Sequence, residues 1–115
     1  RTEFSIATVA AVWRLHGTRT ESVLTSSPDR RLLADSPLPC SLVRWSIAHE
    51  WARSLADLVE RRLMLLYHQR LTRPCLAELA QALVEAGILL PSAAESAVNA
   101  EVDRLQARYG KHVEN

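Results

Sequence analysis

The residues of this 115-residue chain that invite chemistry are few, and the densest group is Glu50, Asp57, Arg61 and Arg62. Asp57 and Arg61 stand four apart, the helical spacing at which an acid N-terminal to a base gains ~0.2–0.5 kcal/mol. That is too little to explain the cluster by stability alone. One reading is a helix start, with Asp57 near the positive pole and the arginines as solvated surface charge. The sharper reading is that a planar, permanently charged guanidinium reaches a carboxylate or backbone carbonyls across a helix or domain boundary. His16, His49, His68 and His112 include no pair at the i, i+4 spacing by which one helix face grips a metal, so no metal site is expected. Cys40 and Cys75 form no Cys-x-x-Cys pair and are too few for a disulfide framework. They read as small buried hydrophobes in a reducing, cytoplasmic compartment. No serine or cysteine sits in a recognisable nucleophile motif, although such groups meet only in the fold. Gly17, Gly87 and Gly110 lie too far apart to cradle a phosphate, which excludes a nucleotide loop within this chain. No catalytic, cofactor-binding or metal-ligating residue is therefore expected here.

The elements that must position these residues are helices. Ala and Leu outnumber Val, Ile and Thr nearly two to one, a helical preference. Hydrophobic residues make up 48% and charged residues 23%, the balance of a soluble globular domain with one core. No apolar run approaches the ~20 residues that cross a bilayer. Fourteen Lys and Arg face thirteen Asp and Glu, so the net charge of +1 gives no footprint for nucleic acid. Residue 1 is Arg, and the opening stretch lacks the pattern of a signal peptide. The chain is expected to be a piece of a longer protein.

Apolar periodicity predicts a first helix over residues 4–16, with Ala7, Ala10, Ala11 and Leu15 on one face and Gly17 ending it. A short helix follows from Thr20 as its N-cap, then a turn at Ser27-Pro28 and one further helical turn through Leu32-Leu33. Residues 35–40 form a Pro-rich internal linker. Over residues 41–67 a stripe of Trp45, Ala48, Ala52, Leu55, Val59, Leu63 and Leu66 runs on, but Ser54 and Asp57 have the spacing of a helix start. Two helices breaking near Arg53-Ser54 are preferred to one bent helix. Pro74 opens the next helix, and Leu76, Leu79, Ala80, Leu83 and Val84 form its face before Gly87. Leu89 and Leu90 are expected to be buried at the turn, Ser92 to cap the last helix, and Ala94, Val98, Val102, Leu105 and Tyr109 to face the core. The sum is an all-α single domain, 1–115, of five or six helices ending in an antiparallel helix hairpin.

The stretch His49-Glu50-Trp51-Ala52-Arg53-Ser54-Leu55-Ala56-Asp57-Leu58-Val59-Glu60-Arg61-Arg62 resembles the signature of the C-terminal helical domain of FAD-dependent, aerobic glycerol-3-phosphate dehydrogenases. That signature has a Glu in an apolar helix, a small polar residue, an Asp three further on and an Arg-Arg pair, all present in register. Arg14-Leu15-His16-Gly17-Thr18 resembles the family's Tyr-Gly helix end. The closing helices resemble its last pair, with Glu101 and Tyr109 as the acidic and aromatic residues. The likeness covers about residues 5–110. His16 stands where the family has Tyr, Leu63 replaces a Thr, and Ile88 follows Gly87 where Trp is common.

The resemblance implies a structural, interdomain role. FAD and the oxidation of glycerol 3-phosphate to dihydroxyacetone phosphate would belong to a preceding FAD-binding body, which is then this domain's partner. None of the family's flavin-contacting or catalytic positions maps onto this chain, and Glu50, Asp57, Arg61 and Arg62 are the interdomain candidates. The electron acceptor in the family is a membrane quinone or oxygen, which implies a parent either free in the cytoplasm or peripheral to the inner membrane. A domain parted from its body should expose an apolar patch, which a homodimer of the fragment would hide. The alternative is a free-standing helical adaptor that uses Trp13, Trp45 and Trp51 as anchors.

Overall fold

The computed structural model describes residues 4–115. Five α-helices follow one another: α1 (Ile6–His16), α2 (Thr20–Leu24), α3 (Cys40–His49), α4 (Arg73–Glu85) and α5 (Ala94–Tyr109). Between α3 and α4 the chain makes a π-helical segment, Asp57–Arg62, and a short 3-10 turn, Leu65–Tyr67. The all-α expectation holds. Among the described residues the only extended pairings are two isolated bridges, Leu32 with Pro39 and Thr72 with Glu114.

Local chemistry sets the helix limits. The Ser5 hydroxyl accepts the Thr8 N–H at 3.2 Å and starts α1, which buries Thr8, Ala11 and Val12 and leaves Ala7 outside the core face. Thr20 does not cap α2 as expected. It is the first helical residue, and its hydroxyl donates to the Gly17 carbonyl at 2.6 Å. Thr72 caps α4 by accepting from Cys75 N–H, with Pro74 in the first turn where its missing N–H costs nothing. At the far end Gly87 (φ 77°) lets Ile88 N–H return to Leu83 O at 2.9 Å, closing the orphan carbonyls.

Three expectations fail at the turns. Leu32-Leu33 makes no helical turn; Leu33 N–H instead donates to Leu38 O and Cys40 N–H to Arg31 O, so the Pro-rich linker is a tight antiparallel loop. Prolines there withhold amide donors, and the donors that remain are enough for an extended pair. Leu90 is 71% exposed, so of the two leucines only Leu89, beside Ile88, is packed against the core at the α4–α5 turn. Ser92 caps nothing: Pro91–Ala93 is a 3-10 turn, and α5 begins at Ala94 without a side-chain cap.

The core gathers Leu42 and Ile47 of α3, Leu58 and Leu63 around the π segment, Leu76 and Leu79 of α4, and Leu105 of α5. Ala48, placed on the stripe by spacing, lies outside, because Leu42, Val43, Ser46 and Ile47 are the buried positions of α3. Helices α4 and α5 form the closing hairpin. The tail after α5 returns to the start of α4, where Arg73 N–H donates to Glu114 O at 2.7 Å and Glu114 N–H to Leu71 O at 2.9 Å. Both cysteines are free, and burial pushes the Cys75 thiol up to about 12, as suits a packed and unreactive side chain.

Asp29 organises the loop before α3. Its carboxylate accepts Arg31 N–H at 2.9 Å, the Arg31 guanidinium at 2.9 Å and the Arg44 guanidinium at 2.9 Å. The Arg31 side chain, followed by the Arg31 amide, holds the Asp29 carboxyl far below the usual carboxylate range. A depressed folded-state value contributes stability above the unfolded carboxyl's ~3.9 and loses it as pH falls through the folded value. Asp29→Asn should therefore cost about 1 kcal/mol at neutral pH. Urea curves for the two proteins should converge as the solution is made strongly acidic; a gap that stays constant with pH would contradict this.

Candidate functional site

The four residues singled out by sequence do not form one constellation. The chain leaves α3 at Glu50, takes a left-handed step at Trp51 (φ 59°), and restarts at Ser54, as the Ser–Asp spacing predicts. Asp57 N–H donates to Ser54 Oγ at 3.1 Å, and the Asp57 carboxylate accepts Arg53 N–H at 3.0 Å. Asp57 is thus spent on starting the helix. The expected Asp57–Arg61 pair does not form, and neither Arg61 nor Arg62 has an ion pair within 4 Å among the described residues. Arg61 is exposed and Arg62 half-buried. Leu63 N–H donates to Leu58 O at 2.9 Å, a five-residue step that inserts one residue into the turn and leaves both leucines fully buried.

Glu50 turns inward and meets His16 at the end of α1. The Nε2···Oε1 separation is 3.7 Å, and the two side chains are 5% and 20% exposed. Among the described residues neither of these buried atoms has a hydrogen-bond partner, and the Ser41 and Ser46 hydroxyls and the Trp45 indole N–H of α3 are also buried without one. Buried polar atoms in this condition are rare enough to call for an account. Trp45 stacks on His49 with ring centroids 3.9 Å apart, so its ring is held while its N–H is not.

The best-defined polar network joins Glu101 and Glu60, both met in the sequence, through Arg104, which was not singled out. Arg104 of α5 donates through Nε and a terminal nitrogen to both oxygens of Glu101, at 2.9 and 2.8 Å, and through its other terminal nitrogen to Glu60 at 2.8 Å. Glu101 is only 4% exposed. The Glu101 bonds, opposed by burial and reinforced by Glu60, raise the Arg104 guanidinium above its already high ordinary value. Arg104, then the Tyr109 hydroxyl, hold the Glu60 carboxyl below the usual range. The sequence carried a signal for this clamp, since Glu101 lies on the face of Val98 and Leu105 and Arg104 follows it by three. Its effect is to fix the π segment against α5.

The glycines make no phosphate-cradling turn among the described residues. Gly17, Gly87 and Gly110 each follow a helix, and among the described residues no strand carries a Gly-rich turn into a helix. No group of three His, Cys, Asp or Glu among them could hold a metal. No helix of the described residues is long and apolar enough to cross a membrane. Several grooves lie on the surface. One of about 590 Å³ between α4 and α5 is lined by Ala77, Ala80, Ala94 and Val98, with Arg73 and Glu95 at its rim. Another of about 290 Å³ lies beside the Arg104 clamp.

Comparison with protein-family models, curated proteins and solved structures finds no match.

Proposed function

We propose that this chain is the C-terminal helical domain of an FAD-dependent glycerol-3-phosphate dehydrogenase, with a structural and interdomain role and no chemistry of its own. The observation that carries the reading is the meeting of His16 and Glu50 at 3.7 Å. These residues come from the two separate stretches, 14–18 and 49–62, on which the resemblance rests, and they lie side by side in the fold, with His16 in place of the family's Tyr. Two features add support. Ser54 and Asp57, the small polar residue and the Asp of the signature, start the second helix together. Arg61 stays exposed and makes no ion pair among the described residues, available to a neighbouring body.

The parent reaction, oxidation of glycerol 3-phosphate to dihydroxyacetone phosphate, lies with residues outside this chain. The test is the complete reading frame, expressed and purified. The expected result is bound FAD and reduction of an acceptor dye that depends on glycerol 3-phosphate. A full-length product with neither would overturn the reading. In the same enzyme, Arg62→Ala should alter turnover, substrate affinity or melting temperature if the arginine pair contributes to the interdomain contact.

A free-standing adaptor is the second reading, favoured by the exposure of Trp13 (56%) and Trp51 (74%). A reading frame no longer than this chain would decide for it.

A further inference from the structure

A groove of about 370 Å³ runs between α3 and α4. Its floor is apolar, with Ile47 and Ala48 contributed by α3 and Ala82 and Ala86 by α4 and its end. An apolar lining interrupted by a few polar groups is the usual make-up of a small-molecule site. Here those groups are charged: Arg44, Arg53 and Glu85 complete the lining.

Arg44 is already spent, because its guanidinium bonds the Asp29 carboxylate at 2.9 Å and Ser27 Oγ at 3.3 Å. The other two charges are not. Arg53 and Glu85 border the same groove, yet they do not pair with each other, and neither has an ion pair within 4 Å among the described residues. The Glu85 carboxylate accepts a long bond, 3.4 Å, from the Gln81 amide on its own helix. The Arg53 guanidinium lies 4.8 Å from the centre of the Trp51 ring, a contact that restricts its motion and leaves its donors in the ring plane unused.

The groove therefore presents one cation and one anion, too far apart to satisfy each other, over an apolar floor. A ligand of single charge satisfies one of them and is opposed by the other. A ligand that carries both charges on one small frame satisfies both, since a carboxylate matches the planar guanidinium fork and an ammonium matches a carboxylate. Free α-amino acids are small molecules of that kind, and an aliphatic side chain suits the floor.

We propose that the groove between α3 and α4 binds a free aliphatic α-amino acid, with its carboxylate on Arg53, its ammonium on Glu85 and its side chain on Ile47, Ala82 and Ala86. The proposal rests on the lining of this groove and does not draw on the flavoenzyme reading.

The test is a titration of the amide NMR spectrum of the 115-residue protein with L-leucine. Saturable shifts are expected at residues 47–53 and 82–86, with a dissociation constant on the order of 1 mM, as suits ion pairs in an open groove. N-acetyl-leucine lacks the ammonium and leucine amide lacks the carboxylate, and each should bind at least about threefold more weakly, the effect of one exposed ion pair. Arg53→Gln should abolish the advantage of leucine over leucine amide, and Glu85→Gln its advantage over N-acetyl-leucine. Both side chains are exposed, so melting temperatures without ligand should match the wild type. No saturable shift up to roughly 50 mM leucine, or equal binding of all three molecules, would overturn the proposal. An advantage over one analogue alone would make the groove a site for a single charge and overturn it too, as would leucine binding that neither substitution weakens.

Discussion

Arg104→Ala is expected to destabilise the fold by about 3–5 kcal/mol, the cost of leaving a buried carboxylate without its partner. The carboxylate is that of Glu101, 4% exposed and held at both oxygens by the Arg104 guanidinium. The same guanidinium also bonds Glu60 of the π segment, so its loss removes the tie between α5 and that segment as well. Chemical denaturation of wild type and variant measures the loss. The decisive comparison is the double variant Glu101→Leu with Arg104→Met, which removes both charges and should recover most of the stability. If the double variant were as unstable as the single one, the loss would be one of packing.

Leu58→Ala should cost about 2–5 kcal/mol, through lost burial and the cavity left behind. Leu58 is fully buried, and its carbonyl accepts the Leu63 N–H that defines the π turn. The apolar surroundings are supplied by several elements that cannot collapse together without moving the Arg104 clamp. Ile6→Ala serves as the control: Ile6 is 89% exposed on α1, and its loss should change stability by no more than about 0.5 kcal/mol. Calorimetric melting of the two variants side by side would show the contrast. Equal melting temperatures would mean that the π segment is not part of the cooperative core.

Periodicity and punctuation made most of the architecture readable in advance. The glycines marked three helix ends, Pro74 a helix start, and Ser54 with Asp57 the restart after α3. These are local signals, in which the residue type and the backbone it favours coincide. What escaped was decided by distant partners. The linker was readable only as Pro-rich, yet Asp35 accepts the Thr72 hydroxyl at 2.7 Å and Arg70 at 3.0 Å, bonds that no local pattern announces. Asp57 and Arg61 had the right spacing for a pair, but the Arg53 amide took the carboxylate first. Glu50 and His16, far apart in sequence, meet only in the fold. A π turn has no sequence signature comparable to a helix cap, and Trp51 at a left-handed position contradicts propensity outright.

The polar ties also bear on time. Glu78 accepts the Ala34 N–H, Arg104 bonds Glu60 and Arg70 bonds Glu114, each across 44 positions of chain. Helices of this kind form within about a microsecond, whereas contacts that close such long loops come after the entropy of closure has been met. Bonds made after the rate-limiting step slow unfolding without hastening folding. These side chains thus act as a brake on opening, and they lengthen the life of the folded domain more than they speed its birth.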